Sequence, residues 1–166
     1  MIRKILVALD ESELAESILP HVCECAKISG AELILLRVSE DPMRDFELAD
    51  TMITEQRTNA QVIHFERKGY LEGVAEKLRA EGLRVTTEVV PGAVAETILA
   101  EAERTQADMI ALSTHGRGGL ARLLMGSVAS QVVHGAHVPV LLIRPPAPPA
   151  QASTAQASPA QAPHGG

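Results

Sequence analysis

Five short aliphatic runs punctuate this chain, and between them the apolar residues fall at helical spacing. The runs are Ile2 to Leu9 (IRKILVAL), Glu32 to Ser39 (ELILLRVS), Leu83 to Val90 (LRVTTEVV), Asp108 to Thr114 (DMIALST) and Val138 to Ile143 (VPVLLI). Such runs, bounded by turn residues and nearly continuous in hydrophobicity, read as strands buried on both faces. Strands that alternate with helices predict an α/β fold, a parallel sheet carrying helices on both sides. Aromatic residues make up only 2% of the chain against 46% hydrophobic residues overall, so the core must be aliphatic. A length of 166 residues suits one domain with a sizeable core.

The helical stretches carry recognisable ends. After the first run, Ser12 can cap a helix, Glu13 and Glu16 suit its positive end, and Leu14, Ile18, Leu19, Val22 and Ala26 share a face. Pro20 lies inside that pattern and predicts a kink or one weakened turn, and Gly30 is placed to end the helix. Asp41-Pro42 breaks the second run; from about Arg44 to Ala80 the pattern is helical but less regular and reads as one long helix or as two with the break near Gly69. Pro91-Gly92 leads into a helix with the stripe Val94, Ile98, Leu99 and Ala102, where Ala93 and Glu96 form only half a capping box. A last helix is expected from about Ser127 to Gly135. Pro139 has no N–H to donate, which places the fifth run at a sheet edge or makes Pro139 its start.

Beyond Arg144 the composition changes. The segment PPAPPAQASTAQASPAQAPHGG holds six of the ten prolines and no Lys, Arg, Asp or Glu. It cannot bury enough apolar surface to offset its ordering entropy, so the expected division is one domain over 1–145 and a disordered tail over 146–166.

Charge and cysteines narrow the function classes. A formal net charge of −6 and a pI near 5.5 argue against a general nucleic-acid surface, which needs clustered cations. No apolar run reaches the roughly 18 residues of a membrane helix, and the N-terminus lacks a secretory pattern, so a cytoplasmic location with no membrane partner is expected. Cys23 and Cys25 lie two apart in a helical pattern, about 200° around the axis from each other. They suit reduced, buried or half-buried thiols better than a shared metal or a disulfide.

The segment Ser113 to Ser127, STHGRGGLARLLMGS, joins the fourth run to the last helix. Glycines at 116, 118, 119 and 126 allow a sharp turn and a close approach by a ligand. The N–H groups at the following helix start lack intrahelical partners and suit an anion. A glycine-rich surface loop has the same composition. In an open parallel sheet, ligands bind beyond the C-terminal strand ends where the strand order reverses. With the first run central and the fourth beside it, Asp10 faces the Ser113 segment across that crevice. A carboxylate suits a sugar hydroxyl or a base N–H, and glycine-rich donors suit phosphates. Asp10 could also simply cap the helix after it.

At these residues the chain resembles the universal stress protein family. STHGRGGLARLLMGSVASQVV followed by VPVLLIR is similar to the family's signature G-x2-G-x9-G-[S/T], aligned on Ser113, Gly116, Gly126 and Ser127. KILVALDES, LILLRVSED and GAVAETILAEAERTQADMIALSTHG fit as well, and the likeness runs over residues 2 to 144. The resemblance implies a single doubly wound, Rossmann-like domain with a five-stranded sheet in the order 3-2-1-4-5. It also implies the ATP-binding branch of the family, a homodimer paired through strand five (Val138 to Ile143), and a nucleotide-dependent role in the stress response.

Carried over position by position, the resemblance sets Asp10 against adenine or ribose with Ala8 and Ser12 beside it, and Val38 against adenine through its backbone. Ser113, His115 and Gly116 line ribose and phosphates. Gly126, Ser127, Val128 and Ala129 hold phosphates by N–H groups and the Ser127 hydroxyl. Ser113 departs from the motif's first glycine: a positive φ there would cost about 1 kcal/mol, whereas an extended backbone accepts serine.

Efficient catalysis has no evident machinery. There is no Walker-type G-x4-G-K-[S/T] and no Ser-His-Asp or Cys-His arrangement. Mg²⁺ would lean on phosphate oxygens and waters. His115 is as well read as a solvent-exposed loop residue as a phosphate donor, Arg117 as solvated surface, and His134 with His137 as scattered histidines rather than a metal pair. A slow ATP hydrolase or transferase in the same cleft, and a nucleotide-free dimeric scaffold, are the alternatives to an ATP-binding regulator.

Overall fold

A computed structural model describes residues 1–39, 68–114 and 125–144. The elements run in the order β1 (Lys4–Ala8), α1 (Glu13–Glu16), α2 (Leu19–Ser29), β2 (Glu32–Ser39), α3 (68–80), β3 (Arg84–Pro91), α4 (Val94–Thr105), β4 (Met109–Ser113), α5 (Ser127–Gly135) and β5 (Val140–Ile143). The strands form one parallel sheet in the order β3-β2-β1-β4-β5, as the resemblance implied. In the central strand Ile5, Leu6 and Val7 are all fully buried, which is why the run is continuously apolar rather than alternating.

Successive residues of each strand serve opposite faces. Ile5, Val7, Leu33 and Leu35 pack with α1, α2 and α3 through side chains such as Ile18, Val22 and Leu71. Leu6, Ile34, Leu36 and Ile110 pack with α4 and α5 through Ile98, Ala102, Ala129 and Val132. Both faces are dominated by aliphatic side chains; the first also buries Cys23 and Met109, with Cys25 and Tyr70 packed at its margin. Cys23 and Cys25 are free thiols, and burial pushes the Cys23 thiol up, helped by the Glu81 carboxylate.

The first helix corrects the sequence reading. Instead of one kinked helix, α1 ends at Glu16 and α2 begins at Leu19, with Pro20 in its first turn. Proline lacks the N–H an interior position needs and its ring would strike the preceding turn, whereas the first turn tolerates both. Splitting the helix also releases Leu14 from the shared stripe, and it is exposed. Gly30 ends α2 in the left-handed conformation expected of it, at φ +71°. In α3 the backbone stays helical through Gly69 and Gly73, so no break falls within 68–80. The rest of the Arg44 to Ala80 segment, residues 44–67, and the 146–166 tail lie outside the described residues.

Ala93 precedes α4 with no side-chain cap bond, as its missing hydroxyl dictates. Pro139 stands just before β5, which is the edge of the sheet and begins at Val140 rather than Val138. The Pro139 carbonyl still accepts from the Ile110 N–H at 3.0 Å, so proline loses only the bond it could not make.

Candidate functional site

The connection from β1 runs to β2 on one side, and the connection from β3 crosses back to β4 on the other. The strand order therefore reverses between β1 and β4, and the crevice at their C-terminal ends is where this architecture takes ligands. Val7 pairs with Ala111, and continuing that register sets Leu9 beside Ser113. One step further, the same register sets Asp10 opposite Thr114.

On the β1 side, the Asp10 Oδ1 accepts from the Ser12 N–H at 3.1 Å and from the Ser12 hydroxyl. Ser12 is the N-cap of α1, its Oγ accepting from the Ala15 N–H at 3.0 Å. Both readings of Asp10 meet here: one carboxylate oxygen supports the cap, while Oδ2 has no hydrogen-bond partner among the described residues. Ala8, the last residue of β1, is half-buried beside this turn.

On the β4 side, Ser113 is an ordinary strand residue paired with Ile143, and its φ is not positive. Extended backbone accepts a serine, so the departure from the motif's first glycine is unstrained. The Thr114 N–H donates to the Ile143 carbonyl at 2.9 Å, and the Gly126 N–H donates to the Thr114 carbonyl at 3.2 Å. The end of β4 and the start of α5 thus meet directly. A Cβ on Gly126 would lie 3.3 Å from the Thr114 oxygen, so the close approach, not a special φ, is what calls for glycine. Gly126 caps α5 with no side-chain bond, and the Ser130 N–H is the first to find an intrahelical carbonyl, that of Gly126. The amides of Ser127, Val128 and Ala129 precede that first bond and carry the positive end of the helix. Ser127 is exposed and Ala129 buried. His115 and Gly116 lie outside the described residues, as does Arg117.

Two charged residues that the motifs did not single out adjoin Asp10 and Val38 in sequence and pair with each other. Glu11 follows Asp10 in the left-handed region at φ +68°, and its Oε1 accepts from the Arg37 Nε at 3.2 Å. The Arg37 Nη1 donates to the carbonyl of its neighbour Val38 at 2.6 Å. Within the sequence the available signal was one arginine inside the aliphatic stretch Leu33 to Val38. Nearby, the Tyr70 hydroxyl of α3 donates to Glu16 at 2.9 Å. Burial, the Glu16 bond and the charges of Asp10 and Glu11 push its ionisation well above the usual tyrosine range.

Among the described residues no group of three or more His, Cys, Asp or Glu is gathered to hold a metal. His134 instead contacts the Ser130 carbonyl within its own helix. No helix among the described residues is long and apolar enough to cross a membrane.

Residues 1–144 match the Universal stress protein family. The chain belongs to that family. Two curated members from Methanocaldococcus jannaschii are each 30% identical to it: universal stress protein MJ0531, over 87% of this chain and 83% of its own length, and universal stress protein MJ0577, over 87% and 96%. The solved structure of MJ0577 superposes with a TM-score of 0.77 at 29% identity, covering 89% of this chain and 99% of that one. A universal stress protein in complex with cAMP shares the fold at a TM-score of 0.61 and 19% identity, over 86% of this chain and 97% of that one.

Proposed function

We propose that this universal stress protein is an ATP-binding regulator whose nucleotide lies across the β1/β4 crevice. The observation that carries the reading is the hydrogen bond between Gly126 and Thr114. It brings the open start of α5 to the end of β4, near the turn that carries Asp10, whose Oδ2 has no hydrogen-bond partner among the described residues. One end of the crevice offers backbone donors for phosphates and the other an acceptor for a sugar hydroxyl or base N–H, the two demands a nucleotide makes. Ala8, Ser12 and Val38 line the base end in this reading. Ser113, His115 and Gly116 line the middle, and Ser127, Val128 and Ala129 the phosphate end. Mg²⁺ is carried by phosphate oxygens and waters rather than by a protein cage. A chain of the same fold was solved with cAMP, which is consistent with a nucleotide as ligand.

The protein acts in the cytoplasm as a homodimer paired through Val138 to Ile143, where an aliphatic edge strand otherwise leaves backbone groups unpaired. Titration calorimetry with ATP and Mg²⁺ tests the reading. The wild type binds, and Gly126→Val, which crowds the Thr114 carbonyl at the phosphate end, loses affinity at least a hundredfold while keeping its fold by circular dichroism. An absence of binding by the wild type at millimolar nucleotide overturns it.

A further inference from the structure

The sheet ends in β3 on one side and β5 on the other, and the chain treats the two outer edges differently. The Gly92 N–H donates to the Ser39 carbonyl at 2.9 Å, so residue 92 turns its backbone groups toward β2. The register is unbroken from Arg84 to Pro91, and backbone groups alternate sides along a strand. Arg84, Thr86, Glu88 and Val90 therefore bond β2, while Val85, Thr87, Val89 and Pro91 turn their backbone groups outward.

The first and last of these outward positions are blunted. The Arg79 Nε and Nη2 both donate to the Val85 carbonyl, at 3.0 and 2.9 Å, which engages both lone pairs of that oxygen. The Arg79 Nη1 is held by Glu72, whose other oxygen accepts from the Thr87 hydroxyl at 3.1 Å. Arg79 and Glu72 lie two turns apart on α3, so the helix lays a bound ion pair along the strand. Pro91 has no N–H to offer. A charged side chain and a proline are two of the devices that keep an end strand from pairing with another chain. At β5 the Ile110 N–H bonds the Pro139 carbonyl and the Thr114 N–H the Ile143 carbonyl, so Val140 and Leu142 turn outward. Among the described residues no side chain bonds their backbone groups.

We infer that Arg79 closes the β3 edge to a second copy of this chain, so that strand pairing between copies is left to β5. A strand arriving at β3 needs the Val85 carbonyl as an acceptor and takes it only by displacing the guanidinium from both bonds. The consequence is a finite assembly. Two-fold pairing through one edge stops at two copies, whereas pairing through both edges repeats without end. The inference extends the β5 pairing proposed above and is independent of the nucleotide.

Sedimentation velocity on the full chain, from micromolar to near-millimolar concentration, compares wild type, Arg79→Met and Arg79→Met with Thr87→Pro. Methionine keeps the apolar stem and frees the Val85 carbonyl. Proline at 87 removes an outward N–H and none that bonds β2. Wild type reaches one limiting mass. Arg79→Met, folded by circular dichroism, grows with concentration past that mass at least twofold, and the added proline returns it to the wild-type mass. A monomeric wild type removes the β5 pairing alone: Arg79→Met then stops at dimers, and the proline dissolves them. An Arg79→Met of wild-type mass overturns the inference, whatever else covers the edge. Growth that survives the proline overturns it too, because such growth does not run through β3. Should Arg79→Met fail to fold, Glu72→Ala, which releases Arg79 from its carboxylate, takes its place. Growth reversed by Thr87→Pro then supports the inference, and an unchanged mass overturns it.

Discussion

Ser12 holds one oxygen of Asp10 twice, through its backbone N–H and through its hydroxyl, and leaves the other oxygen without a hydrogen-bond partner among the described residues. The same hydroxyl accepts from Ala15, so a three-residue relay fixes the carboxylate and starts α1 together. Asp10→Asn keeps an acceptor for Ser12 but discards the charge. It should therefore stay within about 0.5 kcal/mol of the wild type in urea denaturation, while ATP affinity falls about tenfold. Ser12→Ala removes the cap and should cost about 1 kcal/mol. Equal losses of stability in the two variants would mean that Asp10 serves the helix alone.

The relay also explains the strain at the next residue. With Asp10 turned back onto Ser12, Glu11 takes φ +68°, a region that L-residues enter at a cost. Elsewhere glycine is less stable than alanine, because it loses more freedom on folding. At this position the order reverses. Glu11→Gly should be more stable than Glu11→Ala by about 1 kcal/mol, both variants having lost the partly exposed ion pair to Arg37. Thermal denaturation of the pair decides it, since the shared loss of the ion pair cancels in the comparison.

Much of the architecture was legible because burial on both faces leaves a plain mark. Runs such as ILVA and LILL have no polar alternation, and helix ends such as Ser12 and Gly30 have a chemical reason to be where they are. Pro20 was misread because a proline signals a discontinuity without saying whether the helix bends or starts afresh. The local pattern of Leu14 and Ile18 could not decide, since only the packing of Ile18 beneath the sheet fixes the second start. At the site, spacing found Asp10 and Gly126, whose roles are local. It missed Glu11 and Arg37, which are 26 residues apart in sequence and meet only because β1 and β2 are neighbours.

Two glycines near α3 make opposite predictions from one substitution. Gly73 lies within 68–80, and among the described residues nothing stands within 4 Å of where its Cβ would be. Gly73→Ala should stabilise the protein by about 1 kcal/mol through helix propensity and a less flexible unfolded chain. Gly82 also has open space around it, but its φ is +85°, and it turns the chain from α3 into β3 with its N–H on the Arg79 carbonyl. Gly82→Ala should destabilise by about 1 kcal/mol. Urea midpoints that move in the same direction for both would show that space, not backbone conformation, governs these positions.

Asp108 joins the starts of the two strands that flank the crevice, and it predicts how stability responds to acid. Its Oδ2 accepts from the Arg3 N–H at 2.7 Å and from the Lys4 N–H at 3.0 Å, and its own N–H donates to the Lys4 carbonyl at 2.9 Å. Those two backbone donors, Arg3 first, hold the carboxyl below its ordinary value of 3.8, with the nearby positive charges of Arg3 and the N-terminus adding to them. A carboxyl whose folded-state pKa is depressed contributes stability that is complete above the unfolded value and is lost as pH falls through the folded one. Asp108→Asn abolishes that titration, since an amide neither ionises nor distinguishes pH 7 from pH 2. In urea denaturation the wild type should be more stable than Asp108→Asn at pH 6, the gap should narrow as pH drops below 3.8, and the two should converge once the carboxyl is protonated in both states. A gap that stays constant down to pH 2 would assign the wild-type advantage to the geometry of the two N–H bonds rather than to the charge that accepts them.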